Sequence, residues 1–187
     1  ETDLLVLGWE GYSRWQHFTM GSNLDRIIER ASSDTIVIKP GKAEAENKLE
    51  QILLPVSGGS HSFLAAEIAQ ILSQAYGAEV TVLYINQAEL NRDKIRTKLD
   101  SVLSQFGQKV DLKLVEGEDI AQLILDTAVD YDLVVMGATE EGAFQQLLYG
   151  SIPEKVAAKS EKTVMLVKKY LGLRSWLKHW LGRREYK

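Results

Sequence analysis

Two glycine-rich stretches are the parts of this sequence whose residue types and spacing suit a ligand. GWEGYSRWQHFTMGS occupies residues 8–22 directly after the apolar run LLVL, and GATEEGAFQQLLYGS occupies residues 137–151 directly after LVVM. Glycines behind a strand let the main chain approach a ligand closely, and a Gly-Ser pair that opens a helix presents free N–H groups and a positive dipole end. The pattern predicts a site for an anion, and in particular for a triphosphate.

A purely structural interpretation of both stretches stays open. Ser22 and Ser151 are favoured helix N-caps without any ligand, and the glycines would then serve as tight turns. In the second stretch Glu140 stands where the first has Gly11, and its carboxylate would repel a phosphate unless a cation intervened.

Other chemistry finds little support in the sequence. The chain has no cysteine, and its three histidines have no ligand-like spacing, so neither a disulfide nor a metal site is expected. No GxxxxGK[ST] loop is present, which excludes a P-loop NTPase at the level of motifs. The serines around His61 lack a third orienting group and are interpreted as a turn and helix start. We therefore predict no catalytic residue and no enzyme activity.

Apolar runs alternate with helical patterns from residue 49 to residue 168. Strands are predicted at 50–56, 79–85, 109–115, 132–136 and 163–168, and helices at 63–77, about 88–106, about 118–129 and about 151–160. Strands separated by helices need crossover connections, which make a parallel sheet. The predicted fold class is α/β, with a five-stranded parallel sheet and helices on both faces.

Residues 3–39 repeat only the end of that pattern. DLLVL matches DLVVM, NLDRIIERA matches IPEKVAAKS and DTIVIK matches KTVMLV, with an offset of 129 residues at the glycines and 128 at the last strand. Two strands and a helix cannot bury a core alone. We divide the chain into the C-terminal half of a first domain (1–39), a linker (40–48), a complete domain (49–168) and a tail (169–187), and we expect the natural polypeptide to continue upstream of Glu1.

The spacing G-x2-G-x9-G-[ST], met by Gly8, Gly11, Gly21 and Ser22, resembles the nucleotide-binding signature of the universal stress protein family. The predicted order of elements in 49–168 agrees with that doubly wound fold. The resemblance implies that ATP or another adenine nucleotide is the cofactor, with magnesium only alongside it. The positions it marks for binding are Gly8, Gly11, Gly21, Ser22, Ser57, Gly58, Gly137, Glu140, Gly150 and Ser151.

Departures from the family pattern predict weak or absent nucleotide binding. Glu140 replaces a glycine, and Ser57 stands where members that bind ATP usually have an acidic residue. The first copy has an intact signature but lacks the strand that would hold the nucleoside.

The tail is basic and the rest of the chain is acidic. Residues 168–187 carry seven Lys or Arg against one acid, a net charge of +6, which leaves −10 on residues 1–167. Apolar residues recur at helical spacing opposite the basic ones: Leu173, Trp176, Leu177, Trp180 and Leu181. Such a helix can lie on an anionic membrane surface or pack against a protein domain, and the acidic body argues against nucleic acid.

The resemblance implies a regulatory module, and the run PVSGGSHS is similar to the kind attached to membrane transporters. We therefore expect the cytosolic C-terminal part of a transporter, cytoplasmic and at the cytosolic face of the inner membrane. The alternative is a free-standing tandem universal stress protein that binds ATP and hydrolyses it slowly. The resemblance also implies that the last strand lies at the sheet edge and pairs antiparallel with the same strand of a partner domain. Because unpaired edge strands aggregate, we expect residues 35–39 and 163–168 to pair in this way within the chain. A second copy would cover the exposed side of residues 3–38 in a homodimer.

Overall fold

The computed structural model describes residues 3–10, 22–42, 48–87, 95, 99–100, 102–107, 110–138 and 152–171. Its elements are β1 (Leu4–Gly8), α1 (Ser22–Arg30), β2 (Asp34–Lys39), β3 (Gln51–Pro55), α2 (Ser60–Tyr76), β4 (Glu79–Asn86), β5 (Asp111–Glu116), α3 (Ile120–Ala128), β6 (Leu133–Gly137), α4 (Ile152–Lys159) and β7 (Thr163–Lys168). The predicted elements occur at nearly the predicted bounds. The helix predicted at about 88–106 is described only in part, through helical residues at 95, 99–100 and 102–103.

The strands form one sheet in the order β1-β2-β7-β6-β3-β4-β5. Every neighbouring pair is parallel except β2 and β7, which are antiparallel. The predicted antiparallel pairing of these two strands within the chain is thus confirmed. The sheet has seven strands and is larger than the predicted five-stranded sheet, because β2 joins the edge of β7 and brings β1 with it.

A local two-fold axis passes between β2 and β7. Val37 pairs with Leu166, and these two residues are 129 positions apart. The pair Leu133↔Thr163 in one half is likewise the pair Leu4↔Asp34 of the other half with 129 added to both residue numbers. The offset of 128 residues predicted at the last strand is therefore wrong by one, since the hydrogen-bonded register keeps 129 throughout. The repeat seen in the sequence is a repeat of structure.

Two lysines related by this axis bind the helix ends of the opposite half. The Lys39 Nζ donates to the carbonyl oxygen of Ser160, which directly follows α4, and the Lys168 Nζ donates to the carbonyl oxygen of Ile28 in the last turn of α1 at 2.7 Å. Carbonyls at a helix C-terminus lack partners within the helix and carry partial negative charge. Burial lowers the pKa of Lys39, nearby Lys42 lowers it further, and Glu161 opposes the shift.

The sheet is covered on both faces. One apolar layer joins α2 to the strands and includes Ile52, Leu54, Val82 and Leu99, while the other joins α3 and α4 to the strands and includes Leu53, Val134 and Val156. The helix α2 ends where predicted, because Gly77 adopts the left-handed conformation at φ 73°. None of the helices in the described part of the chain combines the length and hydropathy needed to cross a bilayer.

Candidate functional site

A cavity of about 220 Å³ lies at the carboxyl ends of β3, β4 and β6. The chain passes from β3 to β4 on one side and later places β6 on the other side of β3, so these ends flank the point where strand order reverses. In open α/β sheets, ligands bind in the crevice at this point. The cavity is therefore the candidate site of the part of the chain that contains β3 to β7.

The cavity wall is mainly apolar. Its apolar residues come from the ends of β3, β4 and β6 and from the starts of α3 and α4, and they include Val56, Leu83, Ile85, Met136, Ile120, Ile124, Ile152 and Pro153. Ser57, Ser62 and Gln87 supply side-chain polar groups. An apolar wall with a few polar groups is typical of sites for small organic ligands.

The turn after β3 brings the start of α2 beside the cavity. Gly58 has φ 91°, a conformation that favours glycine, and the Ser57 amide donates to the Ser62 hydroxyl at 3.4 Å. Gly59 is the N-cap of α2 and supplies no side-chain hydrogen bond to the helix. The turn is thus short and leaves the first helical turn uncapped by a side chain.

Two polar contacts hold the opposite wall. The Gln87 side-chain amide donates to the Glu118 carbonyl oxygen at 3.2 Å. Asp119 caps α3, since its carboxylate accepts from the Gln122 amide at 3.1 Å. These contacts set the start of α3 and hence the position of Ile120 and Ile124 in the wall.

Gly137 lines the cavity but also has a packing role that the sequence did not indicate. A Cβ atom at this position would lie 2.6 Å from the His61 carbonyl carbon and 2.7 Å from its carbonyl oxygen. Real Cβ atoms do not approach backbone that closely, so Gly137 lets the first turn of α2 pack on the end of β6. The glycine is needed here whether or not a ligand binds.

The predicted site residues do not all come together. Ser57 and Gly137 line the same cavity, and Gly58 lies in the turn beside it. Gly8 ends β1, which β2 and β7 separate from β6. Ser22 is the first residue of α1, and its side chain is not among those described. The remaining predicted positions lie outside the described residues: Gly11, Gly21, Glu140, Gly150 and Ser151.

Sequence reasoning missed the apolar wall. Ile85, Met136 and Ile152 have the hydrophobic character of core residues, and hydrophobic periodicity does not separate a cavity wall from a filled core. Their positions at strand ends and helix starts were the signal in the sequence that could have identified them as wall residues. No group of three or more acidic or histidine side chains in the described segments could hold a metal ion.

The sequence of residues 86–168 matches the Universal stress protein family. A universal stress protein of Mycolicibacterium smegmatis is 22% identical over an alignment of 180 residues, and this alignment covers 88% of this chain and 61% of that protein. The chain therefore spans about three fifths of the length of this relative.

Solved structures share the fold. A universal stress protein from Archaeoglobus fulgidus superposes with a TM-score of 0.69 at 18% identity, over 89% of this chain and 61% of the other. A universal stress protein in complex with cAMP superposes with a TM-score of 0.52 at 21% identity, over 65% of this chain and 98% of the other. The fold is thus that of solved universal stress proteins, and the match to the family's sequence lies in residues 86–168, from the end of β4 through β7.

Proposed function

We propose that residues 49–168 are a nucleotide-binding-type regulatory module, and that the cavity between β3, β4 and β6 takes an adenine nucleotide. The observation that carries this proposal is an apolar cavity at the reversal point of the sheet, with the predicted Ser57 and Gly137 in its lining. A protein of the same fold in complex with cAMP supports the choice of ligand.

The shape of the cavity indicates how such a ligand would lie. Its apolar wall suits the flat face of a base, which Ile85, Ile120 and Met136 would contact. The sugar would extend toward the turn at Ser57 and the phosphates toward the start of α4 at Ile152, because N–H groups at a helix start favour an anion. A volume of about 220 Å³ is below the ~300 Å³ at which ligand pockets usually begin, so the cavity encloses a base rather than a whole nucleotide.

Binding in residues 1–187 should be weak. Ser57 offers no negative charge for the ribose hydroxyls, and Glu140 stands in the sequence where the first copy has a glycine, so its carboxylate would repel phosphate. Calorimetry with ATP and magnesium should give a dissociation constant above about 10 μM, which corresponds to less than ~7 kcal/mol of binding. Tighter binding would contradict our interpretation of Ser57 and Glu140.

Variants of the two departures test the site directly. Ser57→Asp combined with Glu140→Gly should strengthen binding at least ~10-fold, or by ~1.4 kcal/mol. Ser32→Asp is the matched control, since it adds the same charge on an exposed residue of another surface. Ala138→Leu should abolish binding by filling the cavity. If the double variant gains nothing, the glycines and serines serve structure alone.

We further propose that this module is the cytosolic C-terminal part of a membrane transporter, at the cytosolic face of the inner membrane. The basic, tryptophan-containing tail at 169–187 supports the proposal, although only its first three residues are described. Two hydrogen bonds fix the start of the tail against the folded part of the chain. The Lys169 backbone amide donates to the His61 Nδ1 at 3.0 Å, and the Tyr170 backbone amide donates to the Asp34 carboxylate at 2.7 Å.

Sedimentation with anionic liposomes tests the role of the tail. The intact chain should sediment with them at low salt, and a chain that ends at Tyr170 should not, while the thermal transition stays nearly unchanged. Intact protein that stays in the supernatant would contradict a membrane role. A large loss of stability on truncation would show that the tail packs against protein.

The alternative function is a free-standing tandem universal stress protein that binds ATP and hydrolyses it slowly. The sequence of the natural protein ahead of Glu1 discriminates between the two. Several apolar stretches of ~20 residues there would indicate a transporter, and a further half-domain that starts at a methionine would indicate the alternative.

A further inference from the structure

The edge strand β1 carries an apolar surface that nothing in the described part of the chain covers. No described strand pairs with its outer side. Leu4 and Val6 are 42% and 54% exposed on one face of the sheet, and Ile27 of α1 is 46% exposed on the other. We call Leu4, Val6, Gly8 and Ile27 the β1 surface.

The internal repeat shows how the same surface is covered in the second copy. The residues 129 positions later are Leu133, Val135 and Val156, and they are 4%, 0% and 0% exposed. The strand β3 pairs parallel with β6, and α2 shares an apolar cluster with Leu133 and Val135. The helix α3 packs on α4 and shares a cluster with Val156.

The two equivalent glycines give an independent indication. At Gly137 the missing side chain makes room for the His61 backbone in the first turn of α2. At Gly8 an added Cβ would meet no atom within 4 Å. The backbone around the two is otherwise alike, since the Trp9 amide donates to Ile38 and the Ala138 amide donates to Val167, both at 2.8 Å. Gly8 thus keeps a space that none of the described residues fills.

We infer that the β1 surface is a docking surface for a polypeptide segment with the architecture of residues 49–129, supplied from outside residues 1–187. Its strand equivalent to β3 pairs parallel with β1, the first turn of its helix equivalent to α2 lies on Gly8, and its helix equivalent to α3 lies on Ile27. The side chains match this role, because β1 reads LLVLG where β6 reads LVVMG.

A second copy of residues 1–187 does not offer the same partner. Its β3 lies between β4 and β6, and its α2 packs on β6 and β7, so both are already engaged. The M. smegmatis and A. fulgidus proteins, of which this chain spans 61%, are long enough to include such a segment. The inference is independent of nucleotide binding.

A chimera tests the docking surface. Glu1 is equivalent to Asp130, so a copy of residues 49–129 fused directly ahead of Glu1 keeps the natural spacing into β1. In the chimera, hydrogen exchange of the amides at 4–8 should slow by at least ~100-fold relative to residues 1–187, because an edge strand becomes an inner one. The reactivity of a single Val6→Cys thiol should fall at least ~10-fold on the same grounds.

Gly8→Val provides the control. In residues 1–187 it should leave the thermal transition unchanged, because a Cβ at this position meets no atom of the described residues within 4 Å. In the chimera it should remove most of the added protection, because the side chain would collide with the first turn of the incoming helix. Three outcomes would each overturn the inference. They are unchanged hydrogen exchange at residues 4–8 in the chimera, equal effects of Gly8→Val in both proteins, and a chimera that fails to fold.

Discussion

At the scale of single residues, Gly137 and Gly8 have the same place in the repeat but different surroundings. Gly137→Ala forces a Cβ against the His61 backbone and should destabilise the fold by about 1–3 kcal/mol, as overpacking does. Gly8→Ala should change stability by less than ~0.5 kcal/mol. Urea unfolding of both variants measures the difference. Equal losses would mean that the close contact at Gly137 relaxes without strain.

The glycine pattern predicted both positions but not this difference. Spacing in a sequence shows that a backbone approach is needed at Gly137 and Gly8, and it does not show which group approaches. For Gly137 that group is His61 of α2, which is 76 positions away in the sequence. The family resemblance marks Ser57 as a binding position, whereas Ile120 and Ile152 were not predicted, because a wall residue and a core residue have the same hydrophobic signal.

At the scale of elements, the strand positions were largely predictable. β2 and β7 have the predicted bounds, because a short apolar run between polar residues leaves little choice. The offset of 128 residues was wrong because DTIVIK was aligned with KTVMLV by residue type. In the sheet, the strand equivalent to DTIVIK is TVMLVK, one residue later. The joining of all strands in one sheet depends on the β2–β7 pairing. The family resemblance and the need to protect edge strands predicted this pairing, and no local pattern did.

The hydrogen bonds that Lys39 and Lys168 make across the two-fold axis should stabilise the contact between the two halves of the sheet. Lys39→Met removes the donor to Ser160 and leaves a buried carbonyl unpaired, so stability should fall by about 1–2 kcal/mol. This loss is small for a hydrogen bond made by a charged group, because the variant also removes the cost of burying the ammonium group, the same cost that lowers the pKa of Lys39. Lys168→Met should lose less, since Lys168 is only half-buried.

Lys155→Met is the matched control for the lysine variants, because Lys155 is exposed on α4 and has no described hydrogen-bond partner. It should shift the free energy of unfolding by less than ~0.5 kcal/mol. Guanidinium unfolding at neutral pH measures all three variants. If Lys39→Met and Lys168→Met behave like Lys155→Met, the lysines do not stabilise the helix ends.

At the scale of the whole molecule, the division of the chain into a half-domain, a linker, a complete domain and a tail stays a prediction. The acidic body, the basic tail and the repeat are visible in residue types alone. The uncovered apolar area was predicted from the missing half, but its location at Leu4, Val6 and Ile27 required the register of β1 with β2 and the packing of α1.

The β1 surface predicts the assembly of residues 1–187 when no docking segment is present. An unpaired strand edge beside exposed apolar side chains favours association, so the chain should be a homodimer by multi-angle light scattering. Val6→Lys places a charge in the middle of this surface and should give a monomer with an unchanged thermal transition, because Val6 is 54% exposed. Ile71→Lys is the matched control, since Ile71 is 53% exposed on α2, away from β1, and should leave the dimer intact. A monodisperse monomer of the unaltered chain would contradict the dimer, and a dimer that resists Val6→Lys would place the interface on another surface.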